Sequence, residues 1–143
     1  MKTLRQLIDG KNRQLATVSP GQSVLRALEI MADVDVGALL VLDGKQLVGV
    51  FSERDYARKV ILQGKASRNT AVSEVMSDKV YSVTTEQSIE DCMAIMTDKH
   101  VRHLPVVDKT GNVLGIVSIG DVVKEIVTEQ KFIISQLENY ITG

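Results

Sequence analysis

The chain has 143 residues, 17 Lys plus Arg against 18 Asp plus Glu and a formal net charge of −1, with no block of like charge. No tryptophan, two Phe and three Tyr leave no stacking platform for bases, so a nucleic-acid-binding protein is not indicated. Cys92 is the only cysteine, which excludes an intrachain disulfide, and the absence of a long apolar run predicts a soluble, cytoplasmic protein without a membrane partner.

Five segments follow one another along the chain. We predict an N-terminal helical segment over residues 1–15, a first repeat over 16–66 and a polar connector over 67–80. A second repeat over 81–128 and a C-terminal helix extension over 129–143 complete the chain. Within the connector, the stretch VSEVM indicates a short helical turn.

The two repeats are related by sequence. Residues 18–43 align with residues 83–108 at an offset of 65, and ten of the 26 aligned pairs are identical. After one inserted residue the offset becomes 66, which pairs Ser52 with Ser118 and Asp55 with Asp121. This indicates one supersecondary unit used twice.

Hydrophobic spacing changes within each repeat. Val24, Leu28 and Met31 recur at i, i+4 and i+7, which predicts an amphipathic helix capped by Ser23, and the second copy begins after Ser88. Two short apolar runs joined by an Asp-Gly or Thr-Gly turn then predict a β-hairpin. Helical spacing resumes behind the hairpin, so each repeat reads strand, helix, strand, strand, helix.

The final helix is predicted to run well past the second repeat. Its apolar stripe comprises Val122, Ile126, Ile133, Leu137 and Ile141. Such a stripe needs a cover, and the sequence leaves open whether that cover is the protein's own domain or a second subunit.

The second and third strands carry a specific pattern. The second repeat contains VRHLPVVDKTGNVLGIVSIGDVV, and the first departs from it where Leu40 replaces the proline found at Pro105. This tandem resembles a pair of CBS domains, named after cystathionine beta-synthase and also called a Bateman module, of the stand-alone bacterial type. The resemblance spans nearly the whole chain and leaves no catalytic domain over, so we expect a protein that is not an enzyme.

The resemblance implies an α/β fold. Two pseudo-twofold-related β-α-β-β-α units would pack sheet to sheet, with the N-terminal helical segment and the extended C-terminal helix added, and would leave two clefts. In the family these clefts bind AMP, ADP, ATP, NAD or S-adenosylmethionine. The motif Asp takes the ribose hydroxyls, the Ser takes phosphate, and backbone at the start of the first strand meets the adenine.

The implied function is a regulatory sensor whose ligand changes the packing of a homodimer or the contact with an effector protein. The alternative is a structural interaction module with vestigial clefts. A nucleotide-hydrolysing enzyme would need a general base and usually a cluster of metal-binding carboxylates, and each cleft offers one Asp.

The Ser-x-x-Asp motifs have two readings. A Ser hydroxyl and an Asp carboxylate suit phosphate and ribose, but the same spacing forms a capping box that needs no ligand. Either copy alone favours the cap, whereas the matched repeat favours the ligand.

Charge distinguishes the two predicted clefts. If pseudo-twofold packing brings the turn before one second strand to the other unit's motif, Arg54 and Arg102 converge and make one cleft rich in phosphate contacts. The alternative is that both arginines are solvated surface charges. The candidates for this cleft are Ser52, Arg54, Asp55, Tyr81, Ser82, Arg102, His103 and Pro105, and those for the other are Thr17, Val18, Ser118 and Asp121.

Other reactive side chains are expected to be structural. His100 and His103 lack a third metal ligand in the sequence, and Cys92 lies on the inward face of its helix without a His/Asn arrangement to activate it. The methionines at 31, 76, 93 and 96 are expected to fill the core.

Overall fold

A computed structural model describes residues 1–10 and 15–142 of the chain. The first part contains α1 (Leu4–Gly10), β1 (Thr17–Val18), α2 (Val24–Val34), β2 (Ala38–Asp43), β3 (Gln46–Ser52), α3 (Glu53–Tyr56), a π-helical turn (Ala57–Ile61) and α4 (Val72–Val75). The second part contains β4 (Val83–Thr84), α5 (Ile89–Lys99), β5 (His103–Val107), β6 (Val113–Ser118) and α6 (Ile119–Thr142). The predicted α/β order is confirmed in both repeats.

The long helix of each repeat begins and ends in the same way. The Ser23 hydroxyl accepts a hydrogen bond from the Arg26 backbone N–H at 3.1 Å, and Ser88 forms a capping box with Asp91. The residues that end these helices, Asp35 and His100, both have a left-handed φ of 56°. Asp and His tolerate this conformation better than most residues do, so each helix stops at the same position of the repeat. Both predicted caps are confirmed.

Each repeat builds its own three-stranded sheet, with the orders β1-β2-β3 and β4-β5-β6 in the described residues. The first strand pairs in parallel with the second, as Thr17 opposite Leu40 and Val83 opposite Val106 show. β2 and β3 pair antiparallel through the tight turn at Gly44, whose φ of 63° favours glycine. The buried core of the first sheet is mostly aliphatic; Phe51 is buried within it, and the half-buried Tyr56 packs against it.

The chain divides into two compact units, and the segment that precedes each repeat packs with the other one. In one unit α1 lies on the second sheet, where a Cβ at Gly115 would come within 2.9 Å of the Ile8 side chain. In the other, the connector lies on the first sheet, where a Cβ at Gly49 would come within 2.6 Å of the Met76 sulfur. The two glycines occupy matching positions of the repeats. In both third strands a neighbouring segment packs so closely at this position that a side chain would collide with it.

The predicted helical turn of the connector is confirmed as α4, and the predicted final helix is confirmed as α6, with 24 residues. Val122 and Glu125 are buried near its beginning, whereas every residue from Lys131 to Thr142 is exposed. Among the described residues, no part of the protein's own core covers this terminal half. No helix in the described ranges is long and apolar enough to cross a membrane.

The boundaries predicted for the five segments stay predictions. The N-terminal segment is helical over Leu4–Gly10, and residues 11–14 and 143 lie outside the described residues. The predicted core role of Met31 and Met96 is confirmed by their burial, and Met76 packs against the first core.

Candidate functional site

The first Ser-x-x-Asp motif joins β3 to α3 and forms a capping box. The Ser52 N–H donates to Asp55 Oδ2 at 2.9 Å, and the Asp55 N–H donates to Ser52 Oγ at 3.2 Å. The Ser52 hydroxyl also donates to Asp55 Oδ2 at 3.0 Å. The motif therefore caps α3 and holds the carboxylate in one orientation.

The second oxygen of Asp55 has partners beyond the motif. Ser77 Oγ in the connector donates to Asp55 Oδ1 at 3.0 Å, and Lys59 Nζ lies 3.2 Å from the same oxygen. Asp55 is 8% exposed, so this carboxylate is nearly buried and is neutralised by a lysine four residues along the chain. An acceptor group of this kind is suited to binding hydroxyl donors.

Lys59 lies on the π-helical turn Ala57–Ile61, which directly follows α3. A π-helical turn is rare and occurs frequently at functional sites, because its wider spacing redirects the side chains that follow it. In the second repeat the corresponding residues belong to the uninterrupted helix α6. The local departure from regular helix is therefore confined to the first motif.

The second motif joins β6 to α6 with the same capping geometry. The Ser118 N–H donates to Asp121 Oδ2 at 2.9 Å, and the Asp121 N–H donates to Ser118 Oγ at 3.2 Å. Four residues later stands Glu125, which is 8% exposed and lies 3.7 Å from the Lys2 ammonium group. The second motif thus has an acidic residue where the first has Lys59.

One helical turn further along α6, an ion pair ties the N-terminal segment to this helix. The Met1 amino group lies 2.9 Å from Glu129 Oε2, and this hydrogen bond raises the pKa of the amino group. The amino group of Met1 and the ammonium group of Lys2 together offset the negative charges of Glu125 and Glu129.

The turn before each second strand contacts the motif of its own repeat. The Glu53 N–H donates to the Gly37 carbonyl at 3.1 Å, and the Ile119 N–H donates to the Arg102 carbonyl at 2.8 Å. The backbone of Arg102 therefore adjoins the second motif, and its side chain is exposed. The predicted convergence of the Arg54 and Arg102 guanidinium groups stays a prediction.

The remaining candidates lie on or next to the first strands and on β5. Thr17 is half-buried and Val18 is buried on β1, while Tyr81 is half-buried and Ser82 is exposed just before β4. On β5, His103 is half-buried and Pro105 is buried. Their predicted roles in ligand binding stay predictions.

Cys92 is buried on α5, as predicted, and burial raises the pKa of its thiol to about 11. A thiol with this pKa is almost entirely protonated at neutral pH. It therefore lacks the thiolate that a nucleophile needs.

Three polar residues of these sites are missing from the sequence-based candidates. Lys59 and Glu125 were detectable, because each lies four residues after its motif Asp, the spacing at which helical side chains meet. Ser77 was not detectable in this way, because it lies 22 residues from Asp55 and reaches it only through the fold of the connector.

The two three-stranded sheets, each followed by a Ser-x-x-Asp motif of the same geometry, define a tandem CBS-domain protein. The sequence model of the CBS domain family matches residues 7–61 and 72–128, most of the chain, so the protein belongs to this family. The predicted resemblance is confirmed.

Relatives of known sequence and structure agree with this assignment. The chain is 41% identical over 126 residues to the mitochondrial CBS domain-containing protein CBSX3 of Arabidopsis thaliana, covering 85% of this chain and 61% of that protein. It is 39% identical to the CBS domain-containing protein YhcV of Bacillus subtilis, covering 79% of each. A putative signal-transduction protein with CBS domains from Burkholderia ambifaria superposes with a TM-score of 0.84 at 43% identity, covering 90% of this chain and 96% of that one.

Proposed function

We propose that the protein is a non-enzymatic sensor that binds an adenine nucleotide at the Ser52–Asp55 motif. The observation that carries the proposal is the Asp55 carboxylate, which is nearly buried, oriented by Ser52 and accompanied by Lys59. A fixed carboxylate accepts two hydrogen bonds, which matches the vicinal hydroxyls of a ribose. The resemblance to CBS domains implies the same role for this Asp.

Basic residues around the first motif favour a phosphorylated ligand. Residues 52–59 contain three basic and two acidic side chains, a net of +1, whereas residues 118–125 contain one basic and two acidic, a net of −1. Arg54, Arg58 and Lys59 supply the positive charge. Charge-assisted hydrogen bonds from guanidinium groups to phosphate are short and often bidentate, so AMP, ADP, ATP or NAD is favoured over an uncharged adenosine compound.

A solved relative supports this ligand class. The cytosolic domain of the Mg²⁺ channel MgtE, whose structure is a complex with ATP, is 31% identical to the chain and superposes with a TM-score of 0.63. The superposition covers 76% of this chain and 44% of that one.

Ligand binding would compete with the connector for the same carboxylate. A ribose hydroxyl donating to Asp55 Oδ1 takes the place of the Ser77 hydroxyl, which donates to that oxygen in the described structure. Released from Asp55, Ser77 keeps its backbone bridge to Val50, and Met76 beside it keeps its packing against the first core. The signal we propose is therefore a local change at the Ser77 side chain and the connector surface around it, which a partner protein or the partner subunit of a homodimer would detect.

A thermal-shift series tests the proposal. AMP, ADP, ATP, NAD and S-adenosylmethionine are each added to the wild-type protein and to Asp55→Ala and Arg102→Ala. At 100 times its dissociation constant, a ligand that binds only the folded state stabilises it by about 2.7 kcal/mol. We expect a shift with at least one phosphorylated ligand, lost in Asp55→Ala. No shift with any of the five contradicts the proposal. Mass spectrometry of small molecules released on denaturation identifies a ligand that copurifies.

A second candidate function is a structural interaction module with vestigial clefts. It is favoured by one observation: both carboxylate oxygens of Asp55 already have partners within the chain. In that case Asp55→Ala lowers the melting temperature without changing the response to any nucleotide. Partner capture or self-association then remains intact in the presence and absence of nucleotides.

A further inference from the structure

The terminal half of α6 has an exposed apolar surface that its own chain leaves uncovered. Ile134 is 54% exposed, Leu137 57% and Ile141 81%. The twelve residues Lys131–Thr142 contain only two charged side chains, Lys131 and Glu138, which are too far apart along the helix to pair with each other. A helical segment of this length without tertiary contacts is marginal in water. The segment therefore needs a partner surface.

The exposed residues of α6 follow a coiled-coil heptad. Successive seam residues are spaced alternately by four and by three positions. In heptad notation every a position then holds a β-branched residue, whereas the d positions hold one Val, one Gln and one Leu. The a positions are Val127, Ile134 and Ile141, and the d positions are Val123, Gln130 and Leu137. Apolar residues that recur every 3.5 residues on average form the seam of a coiled coil, so the spacing indicates a further helix as the partner.

The flanking positions of this heptad select an orientation. Lys131 and Glu138 occupy e positions, whereas Ile126, Ile133 and Tyr140 occupy g positions. In an antiparallel pair of identical helices e faces e and g faces g, so Lys131 meets Glu138 of the second copy, twice by symmetry, and Ile133 meets Tyr140. In a parallel pair e faces g, which places both charges beside isoleucines. The charges are complementary only in the antiparallel arrangement.

We propose that the terminal half of α6 is the interface for a second copy of this chain, which pairs with it as an antiparallel two-stranded coiled coil. The register pairs Ile134 with Leu137 of the second copy and Gln130 with Ile141. Opposed helix dipoles add to the preference for this orientation. Phe132 is at an f position and points away from the seam, so it does not contribute to this interface.

Charge reversal in the full-length chain tests the orientation. Lys131→Glu and Glu138→Lys each replace two attractive pairs by two repulsive ones, and each is expected to weaken self-association about tenfold. The double variant Lys131→Glu/Glu138→Lys restores attraction and returns the dissociation constant to near the wild-type value. Sedimentation equilibrium measures all four proteins across a wide concentration range. All the substituted residues are exposed, so circular dichroism should show unchanged folding.

Cross-linking provides a second readout. When the variants Ile134→Cys and Leu137→Cys are mixed, we expect an efficient disulfide between the two introduced cysteines. Ile134→Cys alone is expected to link poorly. The wild-type protein, whose Cys92 is buried, gives the background. Efficient linking of Ile134→Cys with itself, or a double charge variant weaker than either single one, overturns the antiparallel pairing. A wild-type protein that stays monomeric, or that sediments with phosphatidylcholine vesicles through Leu137, overturns the second copy as the partner.

Discussion

The two Ser-x-x-Asp motifs share a backbone frame and differ in what surrounds it. Both capping boxes have the same pair of hydrogen-bond distances, 2.9 and 3.2 Å. Four residues after the Asp, the first motif has Lys59 and the second has Glu125. A duplicated unit can thus keep its fold through the cap while side chains at one or two positions give each copy its own electrostatic character.

The surfaces that cover the third strands differ in a corresponding way. The connector approaches Gly49 and brings Ser77 to Asp55, whereas an apolar residue of α1, Ile8, approaches Gly115. The first motif is therefore coupled to a polar contact, which the proposed ligand would replace. The contact at Gly115 is with an aliphatic side chain, which suits a structural role.

The largest expected effect concerns the two glycines. In Gly49→Ala the new Cβ lies 2.6 Å from the Met76 sulfur and 3.0 Å from the Ser77 carbonyl oxygen, so backbone must move. We expect a loss of about 2 to 3 kcal/mol in the free energy of unfolding, measured by urea denaturation. Gly115→Ala meets only the Ile8 side chain and should cost about 1 kcal/mol. Equal losses of stability in the two variants, or a larger loss in Gly115→Ala, would contradict the difference between the connector and α1 as covering segments.

Exchanging the charge that follows the first motif should make it resemble the second. Lys59→Glu places a carboxylate four residues after Asp55 and removes the 3.2 Å ion pair, so nucleotide affinity is expected to fall about tenfold by isothermal titration calorimetry. The matched control is Lys45→Glu, which makes the same charge change in the β2-β3 turn. That turn lies at the opposite end of β3 from Ser52, about 20 Å away. Equal losses of nucleotide affinity in both variants would show that the net charge of the protein, and not the position of Lys59, causes the effect.

A smaller effect of opposite sign is expected when the connector contact is removed. Ser77→Ala deletes the hydroxyl that donates to Asp55 Oδ1, so the ligand no longer competes with it. We expect nucleotide affinity to rise about fivefold and the stability of the unliganded protein to fall by about 1 kcal/mol. Ser73→Ala, on the exposed face of α4, is the control. Weaker nucleotide binding in Ser77→Ala would show that the hydroxyl assists the ligand.

The sequence was sufficient to predict the repeated fold. Its signals are local: the caps at Ser23 and Ser88, the turn at Gly44 and the change of hydrophobic spacing between helix and hairpin. Both capping boxes followed from the Ser-x-x-Asp spacing alone. The family resemblance then supplied the proposed ligand class, which spacing alone could not.

Contacts between distant segments could not be predicted from one sequence. The bond from Ser77 to Asp55 depends on the path of the connector, and the approach of Ile8 to Gly115 depends on where α1 packs. The two third-strand glycines were visible as a repeated position, but nothing local indicated which segment required their small size. The terminal half of α6 was predicted to carry a stripe in need of a cover, and its exposure shows that the core formed by residues 1–10 and 15–142 does not provide that cover.

We propose that the first motif binds a nucleotide and that the second serves mainly as a cap. Calorimetric titration of Asp55→Asn and Asp121→Asn with AMP and ATP tests it most directly, because both changes keep the side-chain size and remove the same charge. We expect Asp55→Asn to lose at least tenfold in affinity through the ribose contact, and Asp121→Asn to bind almost as the wild type does. Retained binding in Asp55→Asn together with lost binding in Asp121→Asn would contradict the assignment.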